Sequence, residues 1–257
     1  MKPTFIITSA INASVGAYTP LLRIYQTHDT ITSILKYYAD ATIVLVDGGK
    51  EITASDPIHE AWEALKARCH YNLSMSSNEQ IKHLHTNFLD RVPNPNEMGG
   101  TTGLTKSVAE LTLMAAVLDG IKNNAQLKDI LSTDRIFKIS GRYQLSPLFD
   151  TSVYDSDVVK GKCVFRQRDA SWMPDAQQSI GTGFGFASRL WSFDISQLDD
   201  VILRFNSMIE DCVTISATHY IDIEHLLFKH FISTDPVEIE HTHLMGTIAP
   251  TGAVIYD

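Results

Sequence analysis

Three short polar segments that follow apolar runs have the composition of a ligand-binding site. Each combines small residues with a hydroxyl, a carboxylate or a guanidinium, and the segments are Thr8–Ser9–Ala10, Asp47–Gly48–Gly49 and Ser140–Gly141–Arg142. A carboxylate such as that of Asp47 can accept hydrogen bonds from a base or a ribose, and the glycines after it let a ligand approach the backbone. The alternative, that Asp-Gly-Gly only makes a turn, stays open.

A glycine-rich stretch ahead of a predicted helix is a candidate diphosphate site. Residues 99–103 read GGTTG, and Lys106 lies in the first turn of the helix that follows. Free backbone N–H groups and a helix N-terminus favour a bound anion. Thr105 stands where a P-loop has glycine, so the sequence does not indicate an NTPase. A flexible loop with a solvated lysine is the alternative.

Lys138, Ser140 and Arg142 alternate along the end of a predicted strand, so we expect their side chains to project to one face. A cation within an apolar strand is costly to bury unless an anion lies beside it. A diphosphate would supply that anion. Pairing with a carboxylate such as Asp150 or Glu110 is the alternative.

The elements that must position these residues follow from hydrophobic periodicity. Continuous apolar runs predict strands at residues 5–10, 41–46 and 135–140, with further strands at 163–168 and 183–188. Helical spacing predicts helices at 19–38, 56–69, 105–121, 197–212 and 221–231. Strand–helix–strand order with apolar strands indicates parallel pairing with both faces covered. Ligands bind beyond the carboxyl ends of such strands, where the three polar segments would meet.

Composition and charge limit the class of protein. Of the 257 residues 44% are hydrophobic, which is enough for a core, and the net charge of −9 comes without any basic run. Extended nucleic-acid binding is therefore disfavoured. Three cysteines without CxxC spacing fit a reducing compartment, and no apolar stretch reaches the roughly 18–20 residues that span a bilayer. We expect a cytoplasmic protein, in a bacterial or a host-cell cytosol, without a transmembrane segment.

The stretch DRIFKISGRYQL, residues 134–145, resembles the KISGRY-type signature of a GT-A-like glycosyltransferase family found in bacteria, phages and large DNA viruses. Residues 23–49 and the run GGTTGLTKSVAELTLMAAVL resemble the first helix, the second strand and the helix after the donor loop of the same family. The resemblance covers about the first 150 residues, and DIEHLLFKHF and HLMGTIAPTG resemble the family's ending more loosely.

This resemblance implies an α/β, GT-A-like (Rossmann-like) fold, with a mixed, mainly parallel sheet flanked by helices. We expect a single domain, 1–257, in which residues 1–150 bind the nucleotide sugar and 151–257 form the acceptor side. The implied reaction moves a hexosyl or pentosyl group from a nucleotide sugar, such as a UDP-sugar, to a glycan or another hydroxyl acceptor. The base of the donor would lie near Thr8 and Asp47, and its diphosphate on Lys106, Lys138 and Arg142.

An inverting transfer needs a carboxylate to accept the proton of the acceptor hydroxyl. The resemblance assigns that role to Glu224, at the start of the predicted helix at 221–231. Asp222 and Asp194 compete for it. Glu224 could instead only complement the dipole of its helix.

The family comparison also bears on metal. Many GT-A enzymes hold a divalent ion with an Asp-x-Asp at the end of a central strand, where this chain has Ser140–Gly141–Arg142. Asp155 and Asp157 fit the bare pattern but lie downstream in an apparent loop, so binding of Mg²⁺ or Mn²⁺ through them is disfavoured. We expect a cationic, metal-independent donor site.

Two other functions remain open. A nucleotide- or carbohydrate-binding module could keep the fold without catalysis. A nucleotidyltransferase on a similar sheet would depend strictly on magnesium.

Overall fold

The computed structural model describes residues 1–13, 18–79, 100–216, 218–247 and 254–257, and for residues 100–106 it describes the helical backbone only. A seven-stranded sheet forms its centre, in the order β10-β6-β9-β4-β1-β2-β3. The first four strands run parallel, namely β1 (Pro3–Ser9), β2 (Thr42–Asp47), β3 (Tyr71–Ser74) and β4 (Arg135–Ser140). β6 (Cys163–Arg166) and β10 (Val237–Ile239) pair in parallel, and β9 (Leu190–Asp194) lies antiparallel between β6 and β4.

Helices cover both faces of this sheet because its central strands are apolar on both sides. One face packs against α1 (Pro20–Tyr37) and α2 (His59–Lys66) through a core that includes Phe5, Ile7 and Phe137. The other face packs against α3 (Gly100–Asn123), α6 (Leu198–Ile215) and α7 (Ile223–Phe231). Two short helices, α4 (Thr151–Asp155) and α5 (Ala176–Ser179), lie in the connections.

Two small sheets stand beside the main one. β5 (Tyr143–Leu145), β11 (Leu244–Thr247) and β12 (Val254–Tyr256) form an antiparallel sheet, so the end of the chain returns to the residues that follow β4. β7 (Asp169–Ala170) and β8 (Phe184–Gly185) form a two-stranded ribbon.

The predicted architecture, a mixed and mainly parallel sheet flanked by helices, is confirmed. α1 begins where predicted because the Thr19 hydroxyl caps it by accepting from Leu22 N at 3.3 Å and Pro20 occupies its first turn. The helix predicted at 56–69 is shorter, because Asp56 closes a turn with the backbone N–H of Thr53 at 2.6 Å instead of entering a helix. The strand predicted at 183–188 shrinks to β8, and β9, which the sequence analysis did not predict, supplies the antiparallel strand.

Strands from both predicted halves share the central sheet, since β9, β6 and β10 continue it beyond β4. Among the described residues, no helix has the length and apolar character that crossing a bilayer requires.

Candidate functional site

The three polar segments lie side by side at one edge of the sheet. Thr8 is opposite Ser140 on β4, and Ser9 is opposite Asp47 on β2. Backbone hydrogen bonds fasten the segments together: Gly141 N donates to Thr8 O at 2.9 Å and Gly48 N donates to Ser9 O at 2.9 Å. This edge is where the carboxyl ends of the parallel strands meet, the position at which open α/β sheets bind ligands.

The Asp47 carboxylate is bonded to the protein's own backbone. Its Oδ1 accepts from Ile11 N at 2.7 Å and its Oδ2 accepts from Gly49 N at 3.2 Å. Burial raises the pKa of Asp47 to about 6, although these two hydrogen bonds and Arg23 act in the opposite direction. The Asp-Gly-Gly turn, which was the alternative to a ligand contact, is therefore present. At Gly49 the backbone of this turn comes close to Asn12, whose N would be 2.7 Å from a Cβ at position 49.

A cleft of about 270 Å³ opens beside this turn. It lies at the carboxyl ends of β2 and β3 and contains Asp47, the indole of Trp62, and the hydroxyl groups of Ser74, Ser76 and Ser77. Lys50 and Lys66 also line it, and the Lys66 ammonium lies 5.5 Å from the Trp62 ring centroid. The cleft therefore offers an aromatic side chain, hydroxyl groups and two cations at one place.

Gly141 turns the chain sharply after β4. Arg142 N donates to Ser140 O at 2.7 Å, and a Cβ on Gly141 would stand 2.9 Å from the Thr27 hydroxyl of α1. Because this turn ends the strand alternation, Arg142 does not share the face of Lys138, contrary to the expectation. Arg142 lies near Arg23 of α1, since its charge lowers the pKa of Arg23. Arg23 is about one helical turn before Thr27, the residue that contacts Gly141, so both are on the same side of α1.

Arginines gather at this point. Burial lowers the pKa of Arg23, nearby Arg142 lowers it further, and Asp47 raises it. The guanidinium carbons of Arg142 and Arg189 lie 5.7 and 5.9 Å from the ring centroid of Tyr143. We call Arg23, Arg142 and Arg189 the arginine cluster.

Two features of the arginine cluster would suit a bound anion. Within the described ranges, neither Arg142 nor Arg189 forms an ion pair with a carboxylate. Arg142 Nε is buried and has no hydrogen-bond partner in the described part of the chain. A buried donor without an acceptor is costly unless a ligand supplies one.

Lys138 lies elsewhere, on the face of the sheet that packs against α3. Its ammonium forms an ion pair with Glu110 of α3 and donates to Ser188 O at 2.6 Å and to Ser140 Oγ at 2.9 Å. The side chain is almost fully buried. The predicted convergence of Lys138 and Arg142 on one diphosphate is therefore replaced by the carboxylate pairing that the sequence analysis left open. The Lys106 side chain lies outside the described residues, and only its place in the first turns of α3 is described.

Glu224 lies in the first turn of α7, close to the same lysine. Its Oε1 accepts from the Ser188 hydroxyl at 2.6 Å, and the backbone carbonyl of Ser188 accepts from the Lys138 ammonium. Burial, then Asp222 and Glu110, raise the pKa of Glu224 to about 7, against the hydrogen bonds from Ser188 and from its own backbone N–H. A half-buried carboxylate with that pKa can exchange a proton near neutral pH.

The competing carboxylates have structural partners. Asp222 caps α7 by accepting from His225 N at 3.0 Å, and its Oδ1 lies 2.6 Å from His225 Nδ1. Asp194 accepts from Gly161 N and Ser196 N at the far end of β9, opposite Arg135 at the start of β4. Glu224 is thus the candidate nearest the polar edge without a capping role.

The carboxyl end of β4 does not fit a divalent ion. Cations gather there, whereas Asp155 and Asp157 lie near the amino end of β4, paired with the N-terminal amine at 3.6 Å and with Lys160 at 2.6 Å. In the part of the chain that the structure describes, no three His, Cys, Asp or Glu side chains group as metal ligands. The chemistry of the residues at this edge favours an anion.

Sequence reasoning missed Arg23 and Arg189. Arg23 reads as one polar residue of an amphipathic helix, and Arg189 precedes a strand that was not predicted. The spacing of Arg23, Thr27 and Thr30 could have shown that they share the buried face of α1. Polar residues on a face that packs against the core need partners, so Arg23 could have been recognised as a candidate site residue.

Comparison with known proteins concerns the fold. No family model matches the chain, and no curated protein matches it. Core-mannan synthase A (CmsA/Ktr4) from Aspergillus fumigatus, in a Mn/GDP form, superposes with a TM-score of 0.50 at 10% identity over 92% of this chain and 70% of that one. The galactosyltransferase LgtC, with donor and acceptor sugar analogs, gives 0.48 at 11% identity over 90% and 70%. Mouse xyloside xylosyltransferase 1 gives 0.45 at 11% identity over 91% and 81%. The chain has the GT-A fold, with a mixed, mostly parallel sheet flanked by helices.

Proposed function

We propose that this protein is a glycosyltransferase that moves a sugar from a nucleotide-sugar donor to a hydroxyl acceptor. The observation that carries the proposal is the arginine cluster at the carboxyl edge of β4, in which Arg142 Nε is buried without a partner among the described residues. Like charges gathered in a partly buried place are stable when an anion lies between them. A diphosphate has the charge and size for that role.

The donor lies across the polar edge. Its diphosphate contacts Arg142 and Arg189, with Arg23 behind them. Its nucleoside extends toward the cleft beside Asp47, where the Trp62 indole and the serine hydroxyls supply apolar contact and hydrogen bonds. Lys106, in the first turns of α3, remains a predicted further contact.

The transfer step follows from the two charged groups. Glu224 accepts the proton of the acceptor hydroxyl, and the hydroxyl oxygen forms a bond to the anomeric carbon while the bond from that carbon to the diphosphate oxygen breaks. The electron pair of the broken bond stays on the nucleoside diphosphate. The arginine cluster stabilises the negative charge that develops there, and attack from the face opposite the leaving group inverts the anomeric centre.

Thermal shift with nucleoside diphosphates and nucleotide sugars tests the donor site, because a ligand that binds the folded state raises its melting temperature. We expect at least one nucleotide to stabilise the wild type. Arg142→Ala should weaken that nucleotide about tenfold or more, since a charge-assisted hydrogen bond is lost. Arg142→Lys should retain part of the affinity, since it keeps the charge without the forked geometry.

Arg68→Ala is the matched control, because the hydrogen bonds of Arg68 within the described part of the chain go to exposed groups of α1, at His28 O and Thr32 Oγ1. It should leave nucleotide affinity unchanged. Equal affinity of wild type and Arg142→Ala for every nucleotide that binds would contradict the proposal.

A binding module without turnover is the second candidate. It is favoured because Ser140–Gly141–Arg142 stand where many GT-A enzymes have the Asp-x-Asp. Hydrolysis of the donor separates the two. A transferase releases sugar slowly from its nucleotide in the absence of acceptor, whereas a module leaves the donor intact. Activity that survives a chelator argues against a nucleotidyltransferase, which requires magnesium.

A further inference from the structure

Trp172 is an exposed aromatic side chain on a fixed backbone. Its residue is 52% exposed, whereas the chain on both sides of it is bonded. Ser171 N donates to Gly183 O at 2.8 Å, and Met173 N donates to the Ser171 hydroxyl at 3.0 Å. An aromatic ring that is exposed while the backbone on both sides of it is hydrogen-bonded offers a flat apolar face to a ligand.

A hydrogen-bonded relay connects Trp172 to the helix of the proposed base. The Ser171 hydroxyl lies 2.7 Å from His225 Nε2, and His225 Nδ1 lies 2.6 Å from Asp222 Oδ1. His225 is almost fully buried and adjoins Glu224 in the sequence. The relay therefore fixes the position of the Trp172 loop relative to the first turn of α7.

Tyr220 closes the other side of this surface. Its ring meets the Trp172 ring edge to face, with centroids 5.5 Å apart. Burial raises the pKa of Tyr220, and the charges of Asp222 and Glu224 raise it further. The ring contact with Tyr220 and the bond from Ser171 to His225, the residue after Glu224, place Trp172 beside the first turn of α7. We call the surface bordered by Trp172, Tyr220 and Glu224 the aromatic shelf.

We propose that the aromatic shelf binds the acceptor as a neutral pyranose sugar, stacked on Trp172 with a hydroxyl directed to Glu224. This inference rests on the proposed function and names the class of acceptor. A pyranose ring has a face of C–H groups that covers an aromatic ring and a rim of hydroxyls that bond to carboxylates.

Charge at the shelf selects among ligands. Glu224 repels phosphates and carboxylates when it is ionised, and the shelf carries no cation equivalent to the arginine cluster among the residues that define it, so a nucleic acid or an acidic glycan is disfavoured there. The arginine cluster, which attracts anions, lies on the donor side instead. The two regions therefore have opposite electrostatic character, and a neutral sugar fits the acidic one.

Saturation-transfer NMR against a panel of neutral methyl pyranosides and disaccharides tests the proposal. We expect at least one member of the panel to bind the wild type through the C–H face of its ring. Trp172→Ala should weaken that saccharide about tenfold, and Trp172→Phe, which keeps a ring, should weaken it only about threefold. Leu203→Ala removes another exposed apolar side chain, on α6, and should change nothing.

Thermal shift with nucleotides on the same variants separates this proposal from the proposed function. Trp172→Ala should keep the nucleotide affinity of the wild type, and Arg142→Ala should keep the saccharide affinity. Failure of the whole panel to bind the wild type, or equal saccharide affinity of wild type and Trp172→Ala, would overturn the aromatic shelf as a sugar site. Failure of every nucleotide to bind would overturn the proposed function and leave the shelf to be judged by the saccharide titration alone.

Discussion

Glu224 has the ionisation behaviour that a general base near neutral pH needs. Its pKa of about 7 arises from burial and from the neighbouring charges of Asp222 and Glu110. A base works in its ionised form, so the working fraction grows as the pH rises through the pKa. The same raised pKa means that ionising Glu224 costs folding free energy.

We expect donor hydrolysis by the wild type to rise with pH through about 7. Glu224→Gln should lower the rate about 100-fold or more and remove this rise, while nucleotide affinity stays unchanged. Rates measured over roughly pH 5.5–8.5 check both effects. An unchanged profile in the variant would assign the ionisation to another group.

A second readout is the melting temperature of the same variant. The folded-state pKa lies above the ordinary value of a glutamate, so stability is full below that ordinary value and is lost as the pH rises through about 7. Glu224→Gln cannot ionise. It should melt on the order of a few degrees higher than the wild type above neutral pH, with the difference shrinking in acid.

Lys138 and Glu110 form an ion pair in which only the carboxylate reaches solvent. Lys138→Met leaves Glu110 without its partner and should destabilise the protein by about 3 kcal/mol. The double variant Lys138→Met with Glu110→Leu removes both charges and should recover a large part of that loss. Urea unfolding of the wild type, the two single variants and the double variant gives the free energies for this double-mutant cycle. If the loss in the double variant equals the sum of the losses in the single variants, the pair does not act as a unit.

At the scale of elements, the site depends on how closely the turn after β2 approaches the segment after β1. Gly49 makes this approach possible, since a Cβ there would stand 2.7 Å from Asn12 N and 3.1 Å from Ile11 N. Both neighbours are backbone atoms. They can yield only if the strand ends move apart.

Gly49→Ala should therefore destabilise the fold by about 1–3 kcal/mol and weaken nucleotide binding, because the Asp47 turn is displaced. Gly183→Ala is its control, since the nearest atom to a Cβ there is 3.8 Å away. Thermal unfolding of the two variants side by side measures the difference. Equal melting temperatures would mean that the turn relaxes without cost.

At the scale of the molecule, the central sheet joins both parts of the chain. β4 pairs with β9 from Arg135 to Ile139, and the core on the α3 face contains residues from Ile6 to Phe231. Residues 151–257 therefore complete the sheet to which residues 1–150 contribute β1 to β4. On that face the buried residues that the structure describes form one core to which both parts contribute.

A fragment of residues 1–150 should fail to fold by itself, because β4 loses its antiparallel neighbour and the α3 face loses α6 and α7. Circular dichroism and urea unfolding of the fragment should show no cooperative transition, whereas the full chain should show one. Cooperative unfolding of the fragment would establish an independent N-terminal unit.

The sequence by itself determined the strands β1, β2 and β4 and the helices α1, α3, α6 and α7. Continuous apolar runs and helical spacing are local properties, and capping residues such as Thr19 act on their own turn. The parallel pairing of the first strands follows from those elements through general rules of chain connection, and the same rules predict a ligand at their carboxyl ends.

Only the tertiary structure decided which charges meet. Lys138 pairs with Glu110, 28 residues away, while Arg142 turns at Gly141 toward Arg23 and shares the Tyr143 ring with Arg189. Periodicity places a side chain on a face but carries no information about the partner that packing brings to it. Lys138 therefore does not join Arg142 at the turn after β4, whereas the three polar segments do lie together at one edge of the sheet.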